Sequence, residues 1–341
     1  MKNVPLVSIV MTAYNSERYI CQTLKSILNQ KYRNIEIIVI LEYGITDNTE
    51  RITRRVCKGD RRVIVVKNSR RLGIAASRNE GFKLASGKYI ALIDSDDIMF
   101  RNRISVQVEY MEKNKDVILC GADVLYINDK NKVIGYNHTM TSANDIRMGM
   151  LKEYPITSPT IFLRSDVLKK NNWFQPTDEH SEDMAWLSYF VFNGKVCNIP
   201  TILGCYRLSK TSATRASGRN LAAESLYRIR EKICANKNIA YTDDAFRDGR
   251  KIKTEKCLIK SEEFIKECIA KGLIDSNCDE FNYRLYQEAG RGLYSTVYRM
   301  WKNIYQKKES LLRISLNCCK YEFVGKMLWL FFKLGGAKYD N

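Results

Sequence analysis

Residues 35–41 read Ile35-Glu36-Ile37-Ile38-Val39-Ile40-Leu41, a nearly continuous apolar run. Such a run is typical of a strand that is buried on both faces of a parallel sheet. Residues 7–11 form a second apolar run, and a helical pattern between the two begins at Ser16 and continues to about Asn29. The pattern therefore predicts a unit of strand, helix and strand.

The same alternation continues along the chain. Residues 62–66 and 89–93 are predicted strands, and residues 73–85 between them are a predicted helix. This order favours a doubly wound α/β fold with a mostly parallel sheet, in which ligands bind at the carboxyl ends of the strands. Beyond residue 103 the pattern is mixed. Short strands are expected at 117–120, 124–127, 196–199 and 202–207, and a helix is expected at 183–192.

The length of 341 residues and the 45% hydrophobic content predict one large domain and an appendage. We expect residues 1–215 to form the large domain, with halves of about 1–100 and 101–215. After about Ser217 the composition shifts towards Lys, Arg, Glu and Tyr at helical spacing. Residues 216–341 are therefore expected to form a helical, basic region.

The cysteines and the apolar segments exclude several classes of protein. Eleven cysteines include no CxxC pair, and the vicinal Cys318 and Cys319 lack metal-ligand spacing, so neither a disulfide framework nor a zinc site is expected. The N-terminal apolar run fits a strand better than a signal peptide. We find no run of about 18 apolar residues. The chain is therefore expected to be cytoplasmic.

The formal net charge of +18 indicates an anionic partner or a basic solvated surface. Anionic lipid, nucleic acid and a phosphorylated substrate all fit, but no motif that reads nucleic acid is present, so we expect no such partner. Residues 283–341 hold 11 Lys/Arg against 4 Asp/Glu. Residues 311–339 mix apolar, aromatic and basic side chains. This segment is predicted to lie in a membrane interface or to pack on the large domain or on a second subunit.

Residues 94–97 read Asp94-Ser95-Asp96-Asp97 and directly follow the predicted strand at 89–93. Two carboxylates at positions i and i+2 beyond a strand can share one hard divalent cation, and that cation can bind a diphosphate through its oxygens. A polar turn is the alternative, because Asp forms local hydrogen bonds in turns.

Several further segments accompany this motif in a fixed order. They are Val7-Ser8-Ile9-Val10-Met11-Thr12-Ala13-Tyr14-Asn15, residues 26–30, Thr46-Asp47-Asn48-Thr49, Ala76-Ser77-Arg78-Asn79-Glu80-Gly81, residues 158–160, Ser181-Glu182-Asp183-Met184-Ala185-Trp186 and residues 206–207. In order and spacing the set resembles the motifs of family 2 glycosyltransferases, over residues 5 to about 215.

The resemblance implies a GT-A fold, a nucleotide-diphosphate sugar donor, Mn²⁺ or Mg²⁺, and inversion at the anomeric carbon. It also implies a saccharide or lipid-linked saccharide acceptor, and assembly of a bacterial surface polysaccharide at the inner face of the cell membrane. Its donor-binding positions correspond to Thr12, Ala13, Tyr14, Asn15, Glu17, Glu42, Arg78, Asp94, Ser95 and Asp96, with Asp96 and Asp94 at the metal. A phosphate contact for Arg207 is a further expectation.

The segment after the second strand departs from the family pattern. The usual Asp-Asp-Gly-Ser-Thr-Asp is replaced by Glu42-Tyr43-Gly44-Ile45-Thr46-Asp47. Glu42 keeps the first carboxylate, whereas Tyr43 and Ile45 replace an acid and a serine, so the expectation of uridine rests on an altered segment. A weakened enzyme that serves as an interaction module is the alternative, but Asp94, Asp96 and Asp183 are all present.

Glu182 and Asp183 stand at the start of the helix predicted at 183–192. A single displacement needs one carboxylate to take the proton of the acceptor hydroxyl. The resemblance assigns that role to Asp183 and a positioning role to Glu182. The other interpretation is that acids favour a helix N-terminus. Trp186 lies one turn further on and is expected to support the acceptor sugar or to belong to the core.

Overall fold

The computed structural model describes residues 4–137, 139–151, 154–172, 174–175, 181–209, 219–236, 238–239 and 267–272. Strands and helices alternate in its first part. Their bounds are β1 (Val7–Ala13), α1 (Ile20–Leu28), β2 (Ile35–Leu41), α2 (Thr49–Cys57), β3 (Val63–Lys67), α3 (Ile74–Leu84) and β4 (Tyr89–Leu92). The predicted unit of strand, helix and strand is confirmed, although regular helix begins at Ile20 and not at Ser16, because a tight turn at Ser16 precedes it.

The second part completes the sheet. Its elements are β5 (Ile98–Met99), α4 (Arg103–Lys113), β6 (Val117–Ile127), β7 (Val133–Asn137), α5 (Ala143–Met150), a 3₁₀ turn (Ser158–Thr160), β8 (Phe162–Arg164), α6 (Ser165–Lys170), α7 (Glu182–Asn193), β9 (Lys195–Arg207) and α8 (Arg219–Ala235). The strand order is β3-β2-β1-β4-β8-β6-β9-β5, and β7 pairs with β6.

Parallel pairing brings the carboxyl ends of β1, β2 and β4 to one edge of the sheet. Ala13 is in register with Leu41, and Val10 is in register with Leu92. β8 then pairs antiparallel with β4 and with β6. The α/β class and the mixed sheet flanked by helices agree with the predicted fold, and the loops after β1, β2 and β4 lie next to one another.

Two strands that the sequence pattern divides are continuous in the structure. β6 spans the predicted strands at 117–120 and 124–127, and β9 spans those at 196–199 and 202–207. Ala122 is in register with Ile199 and Asp123 with Ile202, so the interruption is a bulge between the two paired strands. Asp123 lies buried there and accepts hydrogen bonds from Thr139.

Close packing of α3 on β1 depends on Gly81. A Cβ at this position would lie 2.5 Å from Cγ1 of Val10, so any larger residue would move the helix away from the sheet. Gly73 immediately precedes α3 and has a φ of 84°, a conformation that favours glycine. These two positions fix where α3, and with it Arg78, sits on the sheet.

The chain divides into two units, Met1–Ala240 and Tyr241–Asn341. Every element named above belongs to the first unit. Within it, Oγ of Ser225 on α8 accepts a hydrogen bond from the backbone of Ser181, at the start of α7. The predicted domain boundary at residue 215 stays a prediction. Within the described residues no helix is long and apolar enough to cross a membrane, and residues 311–339 lie outside the described ranges.

Candidate functional site

The loops after β1 and β2 are joined by paired side chains. Asn15 accepts a hydrogen bond from the backbone N–H of Thr46 at 2.9 Å and donates one to its hydroxyl at 3.1 Å. Glu17 accepts hydrogen bonds from the backbone N–H and the side chain of Asn48, and its own N–H donates to Asp47. Asn15 and Glu17 therefore set the shape of the predicted pocket wall.

Thr12, Ala13 and Tyr14 lead from β1 into this wall. Thr12 is partly exposed, and Ala13 is buried, with its carbonyl oxygen accepting a hydrogen bond from the backbone N–H of Glu42. Tyr14 is exposed, and the guanidinium of Arg71 lies 5.2 Å from the centre of its ring. An aromatic face and a cation thus stand together at the edge where a nucleotide is expected.

Glu42 is enclosed by its own chain. Its carboxylate is buried and accepts five hydrogen bonds. The donors are the backbone N–H groups of Tyr43, Leu72 and Gly73 and the side chains of Asn68 and Ser77, at 2.7 to 3.2 Å. Burial alone would raise the pKa of Glu42, but these hydrogen bonds outweigh it and hold the pKa below its usual range. In this arrangement Glu42 orients residues 68–73 and the start of α3.

The Asp94–Asp97 turn follows β4 and lies beside α1. Asp94, Ser95 and Asp96 are partly exposed. The hydroxyl of Thr23 on α1 donates to the carbonyl oxygens of Ser95 and Asp97. The hydroxyl oxygens of Ser95 and Ser16 are 2.7 Å apart. These bonds fix the backbone of the turn, which leaves the Asp94 and Asp96 side chains partly exposed.

Arg78 is the counter-ion of this acidic site. Its guanidinium is buried, donates to Oδ1 of Asp94 at 2.6 Å and lies 3.9 Å from Oε1 of Glu182. Burial would lower the pKa of Arg78, but the carboxylates of Asp94, Glu182 and Asp183 raise it. The structure therefore brings together the sequence-predicted residues Arg78, Asp94, Glu182 and Asp183, although they come from three different elements.

Arg207 and Asp97 form a contact that sequence reasoning missed. Oδ1 of Asp97 accepts the backbone N–H of Arg207 at 2.7 Å, and Nε of Arg207 donates to the carbonyl oxygen of Asp96 at 2.7 Å. The Arg207 guanidinium also donates to the carbonyl oxygen of Asn128 and lies 4.1 Å from the centre of the Tyr19 ring. Because Arg207 is buried and occupied, its position favours a support of the acidic turn over the expected phosphate contact.

Glu182 and Asp183 occupy the first turn of α7. Burial and the neighbouring Asp183 raise the pKa of Glu182 to about 7, partly offset by Arg78. Burial also raises the pKa of Asp183, and Arg78 opposes this shift. Oδ1 of Asp183 accepts the backbone N–H of Met184 at 2.9 Å. Both carboxyl groups therefore hold their protons more tightly than usual, as a group that accepts a proton near neutral pH must.

Of the two roles expected for Trp186, the structure favours a place in the core. Its side chain is fully buried, with 0% of its surface exposed. The ring stacks on Phe82 of α3 with centroids 5.3 Å apart and meets Phe190 edge-on at 5.2 Å. Apolar burial between two aromatic rings explains this position. Trp186 therefore belongs to the core that joins α7 to α3, and it offers no face to an acceptor sugar.

The acidic turn fits a partial metal site. Burial, and after it repulsion by the Asp94 carboxylate, raise the pKa of Asp96 to about 6. A divalent cation would relieve that repulsion. In the described ranges no group of three or more His, Cys, Asp or Glu side chains is placed to hold a metal. Asp94 and Asp96 thus fit an ion that takes its other oxygens from a bound diphosphate and from water, as Mg²⁺ commonly does.

Comparison with known proteins gives matches in sequence and in fold. A family model described as "Glycosyl transferase family 2" matches residues 8–192. An uncharacterised glycosyltransferase of Haemophilus influenzae is 34% identical over 67% of this chain and 74% of its own length. The Escherichia coli UDP-Glc:alpha-D-GlcNAc-diphosphoundecaprenol beta-1,3-glucosyltransferase WfaP is 35% identical over 64% of this chain and 84% of its own length.

Two solved structures share the fold. The S. aureus TarS fragment 1–349 in complex with UDP-GlcNAc has a TM-score of 0.57 at 18% identity, covering 83% of this chain and 79% of that one. The mannosyltransferase PcManGT from Pyrobaculum calidifontis, in complex with GDP-Man and Mn²⁺, has a TM-score of 0.54 at 15% identity, covering 89% and 84%. At such identities the likeness concerns the architecture alone.

Proposed function

The chain belongs to glycosyl transferase family 2, as its motifs predicted, and we propose that it transfers a sugar from a UDP-sugar to a hydroxyl of a lipid-linked saccharide, with inversion. The observation that carries the proposal is the acidic site around Arg78. One buried guanidinium holds Asp94, on the predicted donor side, and Glu182, on the predicted acceptor side. Such a site has the parts that a single displacement needs.

The donor half consists of the loop after β1 and the acidic turn. Tyr14 offers an exposed aromatic face for a base, and Asp94 and Asp96 offer carboxylates for a cation. Asp96, assisted by Asp94, would hold Mn²⁺ or Mg²⁺. When bound, the ion would neutralise the charge that develops on the leaving diphosphate. Arg207 supports this half by fixing the backbone of Asp96 and Asp97.

The acceptor half is the first turn of α7. Asp183 takes the proton of the acceptor hydroxyl as the bond from that oxygen to the anomeric carbon forms and the bond from that carbon to the diphosphate breaks. Attack from the face opposite the leaving group inverts the anomeric configuration. Positioned groups of this kind contribute about 10² to 10⁴ in rate. Glu182, paired with Arg78 at 3.9 Å, orients the turn that carries Asp183.

The acceptor class is supported by the relatives. WfaP and the related WfgD of Escherichia coli, which is 32% identical over 79% of its length, are both named as UDP-Glc transferases to alpha-D-GlcNAc-diphosphoundecaprenol. A lipid-linked acceptor would place the enzyme at the inner face of a bacterial cell membrane. The reaction would then be a step in the assembly of a surface polysaccharide.

Calorimetry with UDP, GDP and CDP, each with and without Mn²⁺, tests the donor site. We expect binding of UDP that needs the metal and that Asp96→Ala abolishes. Asp116→Ala is the matched control, because Asp116 is an exposed aspartate whose partner is Lys195, outside the site. Selective binding of GDP or CDP would show that the donor carries that nucleotide and not UDP. Absence of binding to all three would favour the alternative of a weakened enzyme that serves as an interaction module.

A further inference from the structure

A strongly basic surface lies on α2, outside the site described above. Residues 49–58 contain four Lys/Arg and one acid, Glu50, a net charge of +3 within ten residues. Arg51, Arg54, Arg55 and Lys58 are all exposed. Their spacing of three and four residues puts them on one face of the helix. We define these four side chains as the α2 basic face.

The opposite face of α2 explains why this one is exposed. Thr49, Thr53 and Cys57 are buried, and Ile52 and Val56 pack against the core. The helix is therefore anchored by its apolar side, and the basic side is directed away from the protein. From Arg51 to Lys58 the helix rises about 10 Å. The four cations form a continuous stripe along that length.

Little in the surrounding structure neutralises the stripe. Glu50 bonds both Arg54 and Lys67, and Asp60 bonds Arg62. In the part of the chain that the structure describes, Arg51, Arg55 and Lys58 form no ion pair. α1, which packs alongside α2, carries no acidic residue. The field of the stripe is therefore available to an external anion.

We propose that the α2 basic face binds the anionic surface of a phospholipid membrane. This proposal rests on the proposed function, because a lipid-linked acceptor brings the enzyme to such a surface. Phospholipid headgroups offer many negative charges in one plane, which an exposed stripe of flexible cations can contact together. A single-stranded nucleic acid is the less suitable partner, because residues 49–71 contain no aromatic residue on which bases could stack.

Sedimentation of the full chain with vesicles tests the proposal. We expect binding to phosphatidylcholine vesicles that contain phosphatidylglycerol, weaker binding to phosphatidylcholine alone, and loss of binding at high salt. Each basic residue near an anionic surface contributes about fivefold in affinity. The triple variant Arg51→Gln/Arg55→Gln/Lys58→Gln should therefore bind about 100-fold more weakly. Each single variant should lose about fivefold, which gives a readout even if the triple variant does not fold.

A matched triple variant controls for net charge. Lys83→Gln/Lys113→Gln/Lys132→Gln removes three exposed lysines from other elements and should bind like the unaltered chain. Equal loss in both triple variants, or no loss in the α2 variant, would overturn the proposal. So would loss of binding to single-stranded DNA by the α2 variant with vesicle binding unchanged. Binding of UDP with Mn²⁺, measured on the same samples, reports separately on the proposed function, since the α2 residues lie outside the donor site.

Discussion

Arg78 donates a hydrogen bond from Nη2 to Oδ1 of Asp94 over 2.6 Å. This single contact joins α3 to the turn that follows β4, and the same guanidinium approaches Glu182 on α7. Three elements, of which α7 is distant in sequence from the other two, thus share one cation. Removal of Arg78 would leave several carboxylates close together without a counter-charge, so we expect the site to depend on it for both shape and stability.

A double-mutant cycle measures the Arg78–Asp94 contact. Arg78→Gln, Asp94→Asn and the double variant should show a coupling free energy of about 1 to 2 kcal/mol in urea unfolding. The value is below that of a fully buried pair because the Asp94 side chain is 30% exposed. The pair Lys113–Glu109, which is largely exposed, is the control and should show no measurable coupling. Equal coupling in the two pairs would show that Arg78–Asp94 is an ordinary surface contact.

Separate variants distinguish the two acids of α7. With a UDP-sugar and a lipid-linked acceptor that support turnover, Asp183→Asn should lower transfer by about 10² to 10⁴ and leave UDP binding unchanged. Glu182→Gln should have a smaller effect, because Glu182 acts through Asp183 and Arg78. Single-turnover release of UDP measures both. A larger loss in Glu182→Gln than in Asp183→Asn would exchange the two roles.

Local sequence patterns were sufficient to predict the strands that form the site. They predicted the rest of the fold less completely. β1, β2 and β4 consist of mostly apolar runs, so their burial on both faces is visible in the sequence. α2 was missed because its buried side is made largely of small polar residues such as Thr49 and Thr53. The pairing of β8 between β4 and β6 depends on contacts between distant segments, which local patterns do not encode.

The site shows the same division. The acidic turn and the acids of α7 were found from motifs. The carboxyl-edge rule places the turn beside the loops after β1 and β2, whereas the approach of α7 depends on the contacts of Arg78. Which of the two roles expected for Trp186 applies was not predictable, because its neighbour Phe82 is 104 positions earlier in the chain. Nor was the contact of Asp97 with the backbone of Arg207, a pair separated by 110 positions. Such contacts depend on the tertiary arrangement of α3, α7 and β9.

The stability contributed by Glu42 should depend on pH. Its folded pKa is depressed, so ionised Glu42 stabilises the protein above the unfolded pKa of about 4.3, and this contribution is lost as pH falls through the folded pKa. Glu42→Gln should lower the free energy of unfolding by about 1 to 3 kcal/mol at pH 7. The difference from the unaltered chain should shrink below about pH 4.

Urea unfolding across that pH range measures the effect, with Glu80→Gln, whose side chain is 45% exposed, as the control. If the difference in free energy of unfolding between Glu42→Gln and the unaltered chain stays constant with pH, the stabilisation comes from the hydrogen bonds of residue 42 and not from its charge. Calorimetry with UDP and Mn²⁺ on Glu42→Gln adds a second readout. The Glu42 carboxylate already accepts five hydrogen bonds from the protein. We therefore expect Glu42→Gln to weaken nucleotide binding only where it also lowers the stability of the protein.

Trp186→Ala separates a core residue from an acceptor contact. The side chain is fully buried between Phe82 and Phe190, so the variant should lose about 3 to 5 kcal/mol of stability through lost burial and the cavity left behind. Tyr189→Ala, on the same helix but 37% exposed, is the control and should lose much less. The milder Trp186→Phe keeps an aromatic ring in the core, so it should retain most of the stability and an unchanged KM for the acceptor. A stable Trp186→Phe protein with a strongly raised acceptor KM would restore the acceptor role that the buried position argues against.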